Sequence, residues 1–309
     1  MDDNKENNRK MELGNLTTEK RNLNTMNLDE MTTADILKTI NEEDKRVALA
    51  VEAVLPKVEV AVDHIVDALS NGGRLFYVGA GTSGRLGVMD ASECPPTFMT
   101  SKEMVQTVMA GGNGAFFHAI EGSEDNEEQG SADLKDRGIS KNDVVVGITA
   151  SGRTPYPIGA LKLARDIGAY TISLSCNENS LISSFADCNI EVVVGPEVLT
   201  GSTRMKAATA HKMILNMIST TTMVKLGKVH ENLMVDVHAS NYKLMERAKR
   251  TIMEVTNVSY KEAENVLRLT NNEVKPAIVM IKAGVALNEA MEAIDKSNGY
   301  VRKAIDYLK

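Results

Sequence analysis

Gly79, Ala80, Gly81, Thr82, Ser83, Gly84, Arg85 form one run of glycines and hydroxyls in this chain, and Ala150, Ser151, Gly152, Arg153, Thr154, Pro155 form another. A further turn, Thr200, Gly201, Ser202, Thr203, has the same character. Glycine lets a backbone approach a ligand closely, serine and threonine donate hydrogen bonds, and a helix start offers unpaired amides with a favourable dipole. Together these suit a phosphate monoester. Taken singly, each turn also reads as an ordinary helix N-cap. Their shared placement favours a common anion site, because each follows an apolar β-rich run, at the strand end where doubly wound folds bind ligands.

The first turn spells GxGxxG, which on its own is weak support for a dinucleotide site. Such a site needs an acidic residue at the far end of the second strand, and that strand ends in Ala110, Gly111 and Gly112. Glu103 precedes the strand and is at the wrong end, and no GxxxxGK[ST] occurs.

Carboxylates supply the candidate acid–base chemistry. Glu93 lies in Asp90, Ala91, Ser92, Glu93, Cys94, Pro95, Pro96, where the tandem prolines are expected to end a helix and leave the carboxylate on a rigid corner. Glu121 and Glu124, in Glu121, Gly122, Ser123, Glu124, Asp125, share a face if that stretch is helical. Acidic residues in a first helical turn also serve simply to complement the dipole. His118 precedes the acidic stretch and is a candidate pocket residue, whereas His211 falls within a helical run. No HExxH, no histidine pair at metal spacing and no Cys/His set is present, so neither a metal nor another cofactor is expected.

The elements that must position these groups follow from periodicity. Apolar residues from Ile36 through Val47, Val51, Val58, Val62 and Ile65 to Leu69 recur at helical spacing, predicting one or two amphipathic helices that Asn71, Gly72 and Gly73 break. Five β-rich runs follow: 74–78, 104–109, 144–149, 170–175 and 191–194. Alternating with helices and reading as apolar runs, they predict a parallel sheet covered on both faces, a doubly wound α/β fold. Past His230 strands are expected to stop and helices to take over, at 234–253, 260–269 and 274–280. The expected division is a polar disordered tail over 1–14, a domain over 15–230 and a helical domain over 231–309.

At 309 residues the chain can bury a proper core without disulfides or metals. A formal charge of −7 and an aromatic content of 4% argue against nucleic-acid binding, which needs a basic face and stacking rings. Cys94, Cys176 and Cys188 make an odd set without metal-like spacing, consistent with a reduced, cytoplasmic protein. Neither a secretion signal nor a run long enough for a bilayer is visible, so no membrane association is expected.

The stretches GAGTSGRLGVMDASECPP, AIEGSED, ASGRTP and GSTRMKAATAHK resemble those of the N-acetylmuramic acid 6-phosphate etherase family, and the likeness runs from about Leu16 almost to the end. It implies a sugar isomerase (SIS) domain with a flavodoxin-like five-stranded parallel sheet, a homodimer, and a small all-α carboxy-terminal domain similar to ubiquitin-associated folds. The implied reaction removes D-lactate from carbon 3 of the sugar phosphate. By motif position the resemblance makes Glu93 the acid and Glu124 the base, with Thr82, Ser83, Ser151 and Ser202 on the phosphate and Glu121 near the sugar hydroxyls.

Two alternatives stand beside it: a non-catalytic sugar-phosphate sensor like the glucokinase regulatory protein, which resembles two such domains in tandem, and a phosphosugar isomerase. One set of phosphate turns weighs against the first, and release of lactate distinguishes the second. Ser83 and Glu93 are ten positions apart, about 15 Å if wholly helical. Either the helix breaks early, at Ala91, or Glu93 serves a neighbouring subunit's pocket, and the second is favoured.

Overall fold

A computed structural model describes residues 16–120, 122–237 and 242–309. The expected tail over 1–14 lies outside the described residues, as does Glu121. By compactness the chain divides into two units, 1–91 with 103–218, and 92–102 with 219–309.

The first unit opens with short 3-10 turns and then helix α1 (Thr33–Ser70), a single helix capped by the Thr32 hydroxyl, which accepts from the Asp35 amide. Its buried stripe of Val47, Val51, Val58, Val62, Ile65 and Leu69 is the sequence's apolar periodicity realised. Strands β1 (Leu75–Gly79), β2 (Val105–Met109), β3 (Val144–Ile148), β4 (Tyr170–Ser175) and β5 (Cys188–Glu191) form one parallel sheet in the order β2-β1-β3-β4-β5. Helices α2 (Gly81–Phe98), α3 (Glu127–Asp136) and α4 (Pro155–Ile167) connect them, and α5 (Lys206–Lys225) follows the sheet. Every residue of β1 and β3 is buried, as expected for strands covered on both faces. Phe76, Val78, Val108, Val145 and Leu161 form part of a core on one face of the sheet. His64 of α1 stacks on Tyr170 of β4 with ring centroids 3.8 Å apart.

The second unit carries a two-residue-per-strand hairpin, β6 (Val229–His230) and β7 (Leu233–Met234), then helices α6 (Tyr242–Thr256), α7 (Tyr260–Leu269), α8 (Val274–Ala283), α9 (Leu287–Lys296) and α10 (Val301–Tyr307). They close over Ile252, Leu267, Ile278, Ala293 and Ala304.

Several expectations need correction. The fifth strand is 188–191 rather than 191–194: β4 offers Ile172–Ser175 as partners, and these pair with Cys188–Glu191. Val192 and Val194 are buried but lie past the ladder, beyond one bond from the Val192 amide to the Ser175 carbonyl. Strands do not stop at His230, since β7 follows it. The next helix begins at Tyr242 rather than 234. Pro95 and Pro96 do not end α2, which continues to Phe98. Proline's φ is itself helical, so what is lost is the N–H and clearance to the preceding turn. The helix therefore stops one turn later, where the Met99 amide closes on the Pro95 carbonyl at 3.0 Å and Met99 turns to φ 53°.

Candidate functional site

Strands β1 and β3 are neighbours in register, Gly79 beside Ile148, yet their following helices lead to β2 on one side and β4 on the other. This is the point where strand order reverses, and the two departing loops open a crevice above the sheet. The hydroxyl-rich turns Ala80–Gly84 and Thr149–Thr154 are those loops.

Close packing makes the crevice possible. A Cβ on Gly79 would sit 2.9 Å from the Gly84 amide, so strand end and helix start approach more tightly than any side chain permits. Gly152 has φ +73°, and a Cβ there would lie 2.3 Å from the Ser180 Oγ. Within the second loop, Thr149 Oγ1 lies 2.7 Å from Thr154 Oγ1 and 3.3 Å from Ser151 Oγ. Ser151 Oγ also accepts from the Arg153 amide at 3.2 Å.

A cavity of about 290 Å³ results. Thr82, Ser83, Thr149, Ser151, Thr154 and Thr203 line it together with Glu124 and Glu19. Among the described residues, no lysine or arginine lines it. An anion there would meet hydroxyls and the first amides of α2, whose unpaired N–H groups and dipole favour negative charge.

Thr82, Ser83, Ser151 and Glu124 thus come together from sequence-distant turns. Glu124 lies in a 3-10 turn, Ser123–Asp125, entered through Gly122 in the left-handed region. Glu121, expected near the sugar hydroxyls, lies outside the described residues. Arg85 braces the segment leading to Glu124 by donating to the carbonyls of Ala115 and Phe116 at 2.8 and 3.0 Å.

Ser202 is not among the cavity's lining residues; its backbone forms the turn, with its amide on the Leu199 carbonyl at 2.9 Å, and Thr203 faces the cavity instead. Glu93 is exposed on α2, which does not break at Ala91, and it does not line the cavity. His118 is exposed and also absent from the lining. His211 is buried in α5, its Nε2 3.3 Å from Cys176 Sγ. All three cysteines are buried. Among the described residues no group of three or more His, Cys, Asp or Glu is arranged to hold a metal.

Thr203 belongs to a turn the sequence singles out, whereas Glu19 belongs to a segment with no pattern of its own. Only its tertiary placement brings it to the cavity.

Family profiles match the chain twice, as the glucokinase regulatory protein N-terminal SIS domain over residues 57–165 and as the SIS domain over 127–221. The N-acetylmuramic acid 6-phosphate etherase of Bacillus pumilus (strain SAFR-032) is 57% identical over 296 residues, spanning 96% of this chain and 98% of its own length. That of Bacillus subtilis (strain 168) is 57% identical over 297 residues, with the same coverages of 96% and 98%. The relative of that name in Clostridioides difficile (strain 630) is 53% identical over 297 residues, again covering 96% and 98%. A solved phosphoheptose isomerase from Francisella tularensis, 18% identical with a TM-score of 0.50, covers 63% of this chain and 100% of its own, and shows the same fold. Near full-length identity above one half, carried on a sheet whose switch point bears the hydroxyl turns, means that this chain belongs to the N-acetylmuramic acid 6-phosphate etherase family.

Proposed function

We propose that this chain is a carbon–oxygen lyase that splits the D-lactyl ether of N-acetylmuramic acid 6-phosphate, giving N-acetylglucosamine 6-phosphate and D-lactate, with Glu124 as base and Glu93 as acid. The observation that carries the reading is a single cavity holding both the hydroxyl cradle and the Glu124 carboxylate.

The chemistry needs only proton transfers. In the open-chain sugar the carbon-2 proton is acidified by the neighbouring aldehyde, so Glu124 can remove it and leave an enolate. The enolate's electron pair then forms the double bond between carbons 2 and 3 as the carbon 3–oxygen bond breaks, and Glu93 protonates the departing lactate oxygen. Water adds to carbon 3 of the unsaturated aldehyde, giving its proton back to Glu93, while Glu124 returns a proton to carbon 2. Thr82, Ser83, Ser151 and the Ser202 turn hold the phosphate.

Ser83 and Glu93 stand ten positions apart on an unbroken helix, about 15 Å along its axis, which exceeds what one hexose phosphate bridges. We therefore assign Glu93 to the cavity of a second copy in a homodimer. Leu37, Leu49, Leu55 and Val60 of α1 and Phe117 are exposed apolar groups that such an assembly can cover. No helix among the described residues is long and apolar enough to cross a membrane, and a charged sugar phosphate, which does not diffuse through a bilayer, supports a cytoplasmic reaction.

Incubating the purified chain with N-acetylmuramic acid 6-phosphate, with and without a chelator, should release lactate equally in both. Absence of lactate would reject the etherase assignment, and isomerised sugar phosphate in its place would favour the isomerase. Deuterium exchange separates the two carboxylates. Glu93→Gln should lose lactate release while still exchanging the carbon-2 proton, and Glu124→Gln should lose both.

A further inference from the structure

The turn that carries Glu19 is held in place by an unusual amount of buried polar structure. Thr18, beside it, is 1% exposed. The Thr18 amide donates to Asn177 Oδ1 at 3.4 Å, and Asn177 Nδ2 donates back to Thr18 Oγ1 at 3.1 Å. The same Asn177 nitrogen reaches the carbonyls of Ala150 and Ser151 at 3.1 and 3.2 Å, so one buried amide ties the Glu19 turn to the Ser151 loop. Further along, Asn22 donates to the Pro196 carbonyl at 3.2 Å and Thr25 to the Val198 carbonyl at 2.9 Å, anchoring the segment beside the Thr203 turn.

These bonds hold the backbone of the turn, from which the exposed Glu19 side chain projects. Among the described residues the Glu19 side chain makes no hydrogen bond or ion pair, and it lines the cavity with Ser83, Ser151, Thr203 and Glu124. An ideal Cβ on Gly201 would lie 3.5 Å from its Oε2, in ordinary contact, so the carboxylate lies close over that turn.

We propose that Glu19 is a substrate-orienting residue whose carboxylate accepts a hydrogen bond from a neutral donor of the sugar, a carbon-borne hydroxyl or the acetamido N–H. This rests on the sugar-phosphate reading of the cavity. An ionised carboxylate only accepts hydrogen bonds and repels the phosphate, so Glu19 does not serve the anion cradle. The hydroxyls of Thr82, Ser83 and Ser151 take the phosphate, leaving Glu19 and Glu124 for the uncharged remainder of the ligand. Glu124 works on the carbon-2 proton, and Glu19 holds the open-chain sugar against it.

The test compares binding of N-acetylglucosamine 6-phosphate with that of inorganic phosphate by titration calorimetry, in the unaltered full chain and in Glu19→Ala and Glu19→Gln. A lost hydrogen bond to an ionised acceptor should weaken the sugar phosphate by about tenfold to a hundredfold in Glu19→Ala, with inorganic phosphate unchanged. Glu19→Gln, which keeps a neutral acceptor, should lie between. Thermal unfolding monitors the fold of both variants. Equal affinity for the sugar phosphate in all proteins would overturn the proposal, and so would a parallel loss of both ligands, which places Glu19 on the cradle. An unaltered chain that binds the sugar phosphate but releases no lactate contradicts the etherase reading alone, and the comparison still decides Glu19.

Discussion

Lys206 and Glu43 meet as a closed ion pair, Nζ 2.6 Å from Oε2, with side chains only 1% and 4% exposed. The pair joins α1 to the first residue of α5, directly after the Ser202–Thr203 turn. The Lys206 and Ala207 amides donate to the Glu197 carboxylate at 3.0 and 2.9 Å, capping the same helix start. Burial tends to raise the pKa of Glu43, but hydrogen bonds from Lys206 and Asn24 outweigh it and hold the group below the ordinary carboxylate value. Burial dominates at Glu197 and pushes its pKa up despite the two amides.

Removing one partner strands a buried charge. Lys206→Met should cost about 3–5 kcal/mol in urea unfolding, and the double change Glu43→Leu with Lys206→Met should cost less than that single change. A single variant as stable as the parent would show that the pair is not closed in solution.

His211 gives a pH prediction with a definite sign. Burial lowers its pKa from 6.5 to about 4. Between those values the unfolded chain binds the proton and the folded chain does not, so stability falls as pH drops from 6.5 toward 4 and this contribution levels off below. At pH 5 the loss should be about 2 kcal/mol relative to pH 7. The variant His211→Leu should lose that part of the slope when unfolding is followed across the window; an unchanged slope assigns it to other groups.

Gly152 and Gly81 separate backbone conformation from space. Gly81 has φ +52° with nothing within 4 Å of an added Cβ, whereas Gly152 has φ +73° and the Ser180 side chain at 2.3 Å. Gly81→Ala should cost about 1–2 kcal/mol, from the left-handed conformation alone. Gly152→Ala should cost more and also shift the Ser151 loop, raising the inhibition constant of inorganic phosphate. Equal effects of the two on stability and on phosphate would refute the packing argument.

Subunit sharing is open to complementation. Under the proposed sharing, Ser83→Ala should disable the cradle of its own copy, while Glu93→Gln should disable the acid that copy lends. Mixed dimers of the two, each inactive alone, should regain part of the parental rate because one of their two cavities is intact. Verified mixed dimers without recovery would place Glu93 in its own subunit's chemistry.

The sheet is largely legible in the sequence because buried parallel strands leave apolar runs, and the run 170–175 coincides with β4 without a shift. The fifth strand lies before its apolar run because pairing obeys the partner's register, and a run such as 192–194 looks the same whether or not a strand lies beside it. The prolines misled for a related reason. Their sequence position marks a helix end only to within a turn, and the Met99 cap sets the final residue.

Within the site, composition and spacing identified the hydroxyl turns, since glycine and hydroxyl chemistry is local and each turn carries its own signature. They also singled out Glu93, Glu121 and Glu124 as candidates. Which of these groups share a cavity is a property of β1 and β3 lying side by side, and of Asn177 tying a distant turn to the Ser151 loop. Glu19 acquires its place only there, because a lone exposed glutamate in a polar segment carries no periodicity, and long-range hydrogen bonds leave no mark on the residues next to it in the chain.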